Sequence, residues 1–460
     1  MPARFIILGP ILVGVALLVS AGLSNVAAKT AAGAEPVFLY TVAKRYEPLA
    51  WMSGGERFPS GATIFFHDPA QGTSGLQPLV TGFAQSADPA VAYEEKRILF
   101  AGKLKPQDPW QIWELTPPTG ELRRLTSGPE DCVRPFYLPD NRIVYARKIA
   151  GHFTIEALDA SGGKPLALTY GPANFLATDI LRDGRILFEA GYPLGTETTP
   201  EIYTVYSDGS GVESYRCDHG NARDQGKQIN SGDIVFAARV GLARFTSARA
   251  KEMPIAAPPG EYAGDVAETG SGDWLLSWRQ NAKAHFQLML WIPGAATLRA
   301  VVAEPGADVV QPVLLGEHVV PNRHPSGLHD WPNANLLCLN AYTSKYSFAA
   351  GSIHSARFYT RDDTGKPKLL GTAPVERDGS FFVHVPSDQP LEIELLDSAG
   401  KTLKREAGFF WIRRGEQRIC VGCHAGPETA PENAVPMILL RSTTPADMTN
   451  GDAHSVSGGR

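Results

Sequence analysis

The chain has 460 residues, with 43 Lys plus Arg against 48 Asp plus Glu and a formal net charge of −5. That mild acid excess excludes a nucleic-acid binder working through charge, because such proteins carry a basic excess. A hydrophobic content of 43% excludes wholesale disorder, and 46 Gly with 36 Pro favour short strands and tight turns over long helices. The length predicts two domains.

Residues 1–28 read as a secretory signal. Met1 to Arg4 form a short positive end, Phe5 to Leu23 run without a charge, and Val26-Ala27-Ala28 place small residues ahead of Lys29. Left uncleaved, an apolar run of this length would hold the chain in a membrane. In either case the rest of the chain is expected to be periplasmic or otherwise exported.

Short apolar runs behind polar turns then recur with a period of roughly 40–48 residues. They include Ala62 to Phe66, Arg97-Ile98-Leu99-Phe100, Arg142-Ile143-Val144-Tyr145, Arg185-Ile186-Leu187-Phe188, Asp233-Ile234-Val235-Phe236 and Asp273-Trp274-Leu275-Leu276. A second strand often follows, as in Gln111 to Leu115 and Glu201 to Tyr206. Repeats of this length, built from several short strands, predict β-propeller blades, each burying a face it cannot bury alone. The propeller is expected over residues 36–343 with six or seven blades, seven by preference. Glu317 to Val320 and Leu336 to Leu339 would form the last. Leu138-Pro139-Asp140-Asn141-Arg142-Ile143 and Leu181-Arg182-Asp183-Gly184-Arg185-Ile186 resemble the blade signature of TolB-like propellers, a resemblance that speaks to fold alone.

A second domain is expected over residues 344–441. Ser355 to Tyr359, Phe381 to Val385 and Leu391 to Leu396 alternate as short strands, with Asp378-Gly379-Ser380 and Ala399-Gly400 as turns, which predicts a small β-sandwich. The polar residues 442–460 read as a disordered tail. The fold class is thus all-β.

Cys420-Val421-Gly422-Cys423-His424 is a Cys-x-x-Cys-His motif in an exported chain, the pattern of c-type haem attachment. Two thiols at this spacing reach the two vinyl groups of one porphyrin, and the adjacent His aims a ring nitrogen at the iron. A zinc site would want a second Cys/His pair at similar spacing, and a redox dithiol would want a βαβ context; neither is present. Cys420 and Cys423 are therefore the expected thioether positions of one haem c, and His424 the proximal ligand of its iron.

Flanking residues narrow the reading. Pro374-Val375-Glu376-Arg377-Asp378-Gly379-Ser380, Pro390 to Asp397, Trp411 to Arg418 and Pro431-Glu432-Asn433 around the motif resemble the haem-bearing middle domain of hydrazine synthase alpha-subunit-like proteins, which also place a propeller ahead of it. In that subunit the motif His is diverted to zinc and a downstream Tyr ligates the iron. Here no Tyr follows His424, and the fourth residue beyond it is Glu428. The resemblance implies an exported haem protein without implying hydrazine synthesis.

A sixth iron ligand would separate electron transfer from small-molecule chemistry. Met437 is the nearby candidate, weighed against a role as core filler; His384 reads as a partly buried strand residue. Cys217, Asp218 and His219 form a candidate zinc cluster, with a Cys132–Cys217 disulfide as the alternative, and Cys338 reads as a buried thiol. The loop from Arg323 to Trp331, with His324 and His329, could cover the haem or bind a metal. Two function classes follow: an exported electron-transfer protein whose propeller docks a redox partner, or a haem oxidoreductase acting on a small, nitrogenous molecule. A haem-free propeller scaffold is the third.

Overall fold

The computed structural model describes residues 35–71, 78–117, 119–191, 199–216, 220–316, 318–362, 365–405, 408–423 and 429–449. Five four- or five-stranded antiparallel sheets follow one another along the chain. Blade 1 runs Gln85–Val91, Ile98–Lys103, Gln111–Thr116 and Glu121–Arg124; blade 2 runs Cys132–Tyr137, Arg142–Ile149, His152–Asp159 and Leu166–Ala167. Blade 3 has Asn174–Ile180, Ile186–Gly191, Glu201–Val205 and Glu213–Ser214; blade 4 has Arg223–Gln228, Ile234–Ala238, Leu242–Phe245 and Met253–Pro254. Blade 5 is built on Trp274–Arg279, Gln287–Trp291 and Arg299–Val302, with Glu261–Tyr262 and Ala267–Glu268 on its inner side.

The sixth blade joins both ends of the domain. Phe38–Ala43 pairs with Ala62–His67 on one side and with Asp308–Leu314 on the other. This pairing closes the ring, so the propeller has six blades and not the preferred seven. The two segments expected as a last blade lie elsewhere. Residues 318–320 form no strand, and Ala334–Cys338 belongs to the second domain.

The inner strands share a repeated irregularity. Register shifts interrupt blade 1 between Ala87 and Ala90, blade 2 between Val133 and Phe136, blade 3 between Ala177 and Asp179, and blade 4 between Asp224 and Lys227. Asp88, Arg134 and Gln225 sit in the bulges of blades 1, 2 and 4, and Gln311 in a matching register shift of blade 6, with φ of 56, 54, 55 and 58°, a left-handed region that costs non-glycine residues about 1–3 kcal/mol each. A buried network holds them there. Arg57 donates to Asp88 at 2.9 and 2.6 Å, Gln311 Nε2 donates to Asp88 Oδ1 at 2.6 Å, and the Arg134 N–H donates to Asp88 Oδ2 at 3.0 Å. Gln225 Nε2 donates to the Tyr46 hydroxyl at 2.8 Å, and the Gln225 N–H donates to Glu189.

Beyond Leu314 the chain crosses to other blades. The Asn322 N–H donates to Arg182 O at 2.9 Å on blade 3, and Arg323 Nε donates to Pro139 O at 3.0 Å on blade 2. The second domain is the expected sandwich. One sheet orders Gln417–Cys420, Ala334–Cys338, Phe381–Val385 and Ala446–Asp447; the other orders Pro367–Pro374, Ser355–Arg361, Glu392–Leu396 and Thr402–Arg405. Leu336, Val383 and Phe381 of the first meet Ala356, Phe358 and Leu395 of the second in one apolar core. The domain therefore begins at Ala334, ahead of the expected boundary at 343/344. Its core also takes in Met448 at 1% exposure, so residues 442–449 belong to the fold and not to a disordered tail. Among the described residues no helix is long and apolar enough to cross a membrane. The signal segment 1–28 lies outside the described residues.

The axial carboxylates give a pH signature. Burial pushes the Glu189 carboxyl up to about 7, against the pull of Arg134 and the Gln225 N–H. A carboxyl that keeps its proton in the folded state but loses it in the unfolded state weakens folding as pH rises. The melting temperature of the wild type is therefore expected to fall between about pH 5 and pH 7, a loss on the order of 2 kcal/mol from this group, and Glu189→Gln to flatten the fall. Thermal unfolding followed by circular dichroism across this range is the check; an unchanged slope in the variant would reject the assignment.

Candidate functional site

The segment from Trp411 to Arg418 leads into the cysteine motif and is fastened to the propeller along its length. Trp411 is 2% exposed, packs among Leu168, Phe175, Phe188 and Val212 of blades 2 and 3, and donates its indole N–H to Gly209 O at 3.2 Å. The Arg413 guanidinium donates to Asp388 Oδ1 at 2.8 Å and to the Tyr170 hydroxyl. Glu416 accepts from the Gly211 N–H at 3.2 Å and from the Arg413 N–H at 2.9 Å. Arg418 Nη2 donates to Val212 O at 2.5 Å. Gly415, with φ of 72°, lies so close to His329 that a Cβ would fall 1.7 Å from its carbonyl oxygen.

From this anchor Gln417–Cys420 runs parallel to Ala334–Cys338 as an edge strand, pairing Leu336 with Arg418 and Cys338 with Cys420. Cys420 and Cys423 are half-buried and pack against the sandwich core. Gly422 nestles on the turn from Asn340 to Thr343; a Cβ there would lie 2.0 Å from Thr343 O and 2.8 Å from Asn340 O. Ile419 is 62% exposed on the outer face of the edge strand. His424 lies outside the described residues.

The same end of the sandwich holds Met437. Asp378 Oδ2 accepts from the Met437 N–H at 2.7 Å, Ser380 Oγ accepts from the Ile438 N–H at 3.0 Å, and Gly379 packs on Asn340 and Ala341 of the turn that carries Gly422. Burial raises the Asp378 carboxyl, but the Met437 and Ser380 hydrogen bonds outweigh it and hold it below the usual range. Met437 opens the short helix Met437–Arg441 half-buried and lies outside the sandwich core, so it does not serve as core filler. His384 behaves as expected: half-buried in its strand, with Nδ1 2.7 Å from Asn335 Oδ1, on the face opposite Val383 and the core.

Cys338 is 3% exposed, and its thiol is pushed well above the ordinary value by burial and by the neighbouring Cys420 and Cys423. Sequence reasoning recognised its burial but missed this neighbourhood, because 82 residues separate Cys338 from Cys420 and only the parallel pairing brings them together. Cys132 is a fully buried thiol of blade 2, raised to about 11 by burial. Cys217, Asp218 and His219 lie outside the described residues, which leaves the zinc cluster and the Cys132–Cys217 pairing as expectations. Of the loop histidines, His324 stacks on Tyr206 at 3.7 Å and His329 on Trp331 at 4.6 Å, so they serve different contacts. Among the described residues no group of three or more His, Cys, Asp or Glu is placed to hold a metal ion.

Residues 341–425 match the family model of the hydrazine synthase alpha subunit middle domain. Hydrazine synthase from Kuenenia stuttgartiensis is similar in fold, with a TM-score of 0.74 at 18% identity over 89% of this chain and 72% of that one. TolB from Acinetobacter baumannii matches at a TM-score of 0.44 and 16% identity, over 61% of this chain and 66% of its own. A search of curated proteins returns no match. The chain thus shares the fold of that hydrazine synthase chain, a propeller followed by a domain that is similar to the alpha-subunit middle domain.

Trp411→Ala would open a void between blades 2 and 3 and strand the contacts that follow it. It is expected to cost about 3–5 kcal/mol and to speed proteolysis within residues 315–333. Denaturant unfolding and timed trypsin digestion read both effects; wild-type resistance in a destabilised variant would show that Trp411 does not fasten the domains.

Proposed function

We propose that the chain is an exported c-type haem protein with a redox role, its haem held by Cys420 and Cys423 with His424 as proximal ligand. The observation that carries this reading is the placement of the motif thiols. They are half-buried on and just beyond the edge strand of a sheet, with Ile419, between them and the clamp, exposed at 62%. Structural cysteines bury; thiols destined for a large apolar group stay accessible next to surface that the group can cover.

The donor chemistry fits. Two thiols and an adjacent imidazole match covalent attachment with axial ligation, and the seat of Gly422 on the Asn340–Thr343 turn fixes the backbone between the two thiols. When bound, the haem supplies a one-electron couple whose potential depends on axial ligands and burial. The chain's own part is to orient and shield. Arg418 and Glu416 fix the strand that enters the motif, and Asp378 and Ser380 fix the helix that begins at Met437. Met437 is the candidate sixth ligand from this chain.

The family description supports a redox-related role, and its naming of a subunit supports a protein partner. The same match favours a second reading, a haem oxidoreductase acting on a small nitrogenous molecule. Export rests on residues 1–28, with membrane attachment the outcome if they are retained.

The chain produced with haem-c maturation is expected to give a c-type band in alkaline pyridine that survives denaturation. Cys420→Ala/Cys423→Ala should abolish it. A folded wild type without covalent haem would reject the proposal and leave a propeller scaffold. In the loaded protein, a six-coordinate low-spin iron that becomes high-spin in Met437→Ala would assign the sixth ligand and electron transfer. A five-coordinate iron in the wild type would favour the small-molecule reading.

A further inference from the structure

We propose that Cys338 is a resolving thiol for the motif: in the haem-free chain it forms a disulfide with Cys420. Three observations meet here. Cys338 and Cys420 are register partners in the parallel pair of Ala334–Cys338 with Gln417–Cys420, and Leu339 N–H donates to Cys420 O at 2.9 Å just beyond it. Adjacent strands lie about 4.8 Å apart, inside the roughly 4.4–6.8 Å between Cα atoms that a disulfide spans. The two residues also share a face. Alternation in Ala334–Cys338 turns Ala334, Leu336 and Cys338 into the core, and Cys420 packs against that same core from the edge strand.

Exposure sets the order of events. Cys420 is half-buried and Cys338 is 3% exposed, so an external disulfide reaches Cys420 first. The Cys420 thiolate displaces one thiol from that reagent and becomes a mixed disulfide. Cys338 then gives up its proton and attacks Cys420 Sγ, and the second thiol leaves. Two protein thiols and one external disulfide become one protein disulfide and two external thiols, with the electron pair carried away by the reagent. The burial of Cys338 slows the second step.

This bond would occupy a sulfur that haem attachment needs, so a dithiol reductant would have to open it first. The proposal does not depend on the haem reading, since it concerns the chain without haem.

The test uses the full chain made in a host without haem-c maturation. It is incubated with oxidised glutathione at mildly alkaline pH for hours, alkylated with iodoacetamide in denaturant, digested, and mapped by mass spectrometry. A peptide linking Cys338 to Cys420, lost on reduction and retained in Cys423→Ser, is the expected result. In Cys338→Ser that link should vanish while Cys420 accumulates as the glutathione adduct or pairs with Cys423. Full alkylation of Cys338 alongside a Cys420–Cys423 link in the wild type would overturn the proposal. Because the wild-type map alone decides this, the test stands even if Cys338→Ser fails to fold.

Discussion

The clamp of residues 411–418 on blade 3 is the contact on which the rest of the site depends. Its parts act in different ways. Trp411 supplies buried apolar area and a satisfied indole N–H between two blades, Arg413 links Tyr170 of the propeller to Asp388 of the sandwich, and Arg418 reaches a blade 3 carbonyl two residues before the first motif thiol. Glu416 ties these together by accepting from both the Arg413 and the Gly211 N–H groups. A buried carboxylate and guanidinium pay for desolvation only when each finds partners, and here the partners come from both domains. The strand that carries Cys420 is thereby set by the propeller as well as by its own sheet.

A clamp of this kind requires a stiff platform, and the axial network supplies one. Asp88 accepts from Arg57, from Gln311 and from the Arg134 backbone, so blades 1, 2 and 6 meet on one carboxylate. Burial alone would protonate such a group; the Arg57 charge and hydrogen bonds outweigh it and keep Asp88 ionised. The strained bulges that aim these side chains at the axis persist because the network over-determines them. Ring closure through Phe38–Ala43 adds the remaining constraint, tying the first strand to the last before the chain departs toward the sandwich.

The legible parts of the sequence were those with local signatures. Turns such as Asp183-Gly184 followed by Arg185-Ile186 marked the blades, and the alternating strands around Asp378-Gly379-Ser380 marked the sandwich. Blade number was not legible, because closure pairs Thr41 with Val310 across most of the chain, and no local turn announces it. The domain boundary is not legible for a related reason: Leu336 to Leu339 looks like any apolar strand, and only its pairing with Phe381–Val385 assigns it to the second sheet. The axial residues do carry a local signal. Asp88, Arg134 and Gln311 each precede a proline, in Asp88-Pro89, Arg134-Pro135 and Gln311-Pro312, at the same place in their repeats. The Cys-x-x-Cys-His motif was fully legible, but its third thiol was not, since Cys338 joins it through tertiary pairing alone.

Strand direction bears on how the site would work. Ala334–Cys338 begins where the chain leaves the propeller, and Gln417–Cys420 begins at the clamp; the two run parallel. Both therefore carry the chain away from the propeller contact, toward the turns at Asn340–Thr343 and Asp378–Ser380 on which Gly422 and Met437 rest. A group attached at Cys420 and Cys423 would grow from the end of the sheet and not from a cleft between the domains. Such a position would suit exchange of electrons with a partner across that edge, where the exposed Ile419 offers apolar contact area. It suits a sealed reaction chamber less well, because excluding water there would need surface contributed by another chain. Under the proposed haem reading the propeller would act chiefly as the rigid holder of the motif strand, and a redox partner, whether donor or acceptor, would meet the molecule at the far end of the sandwich.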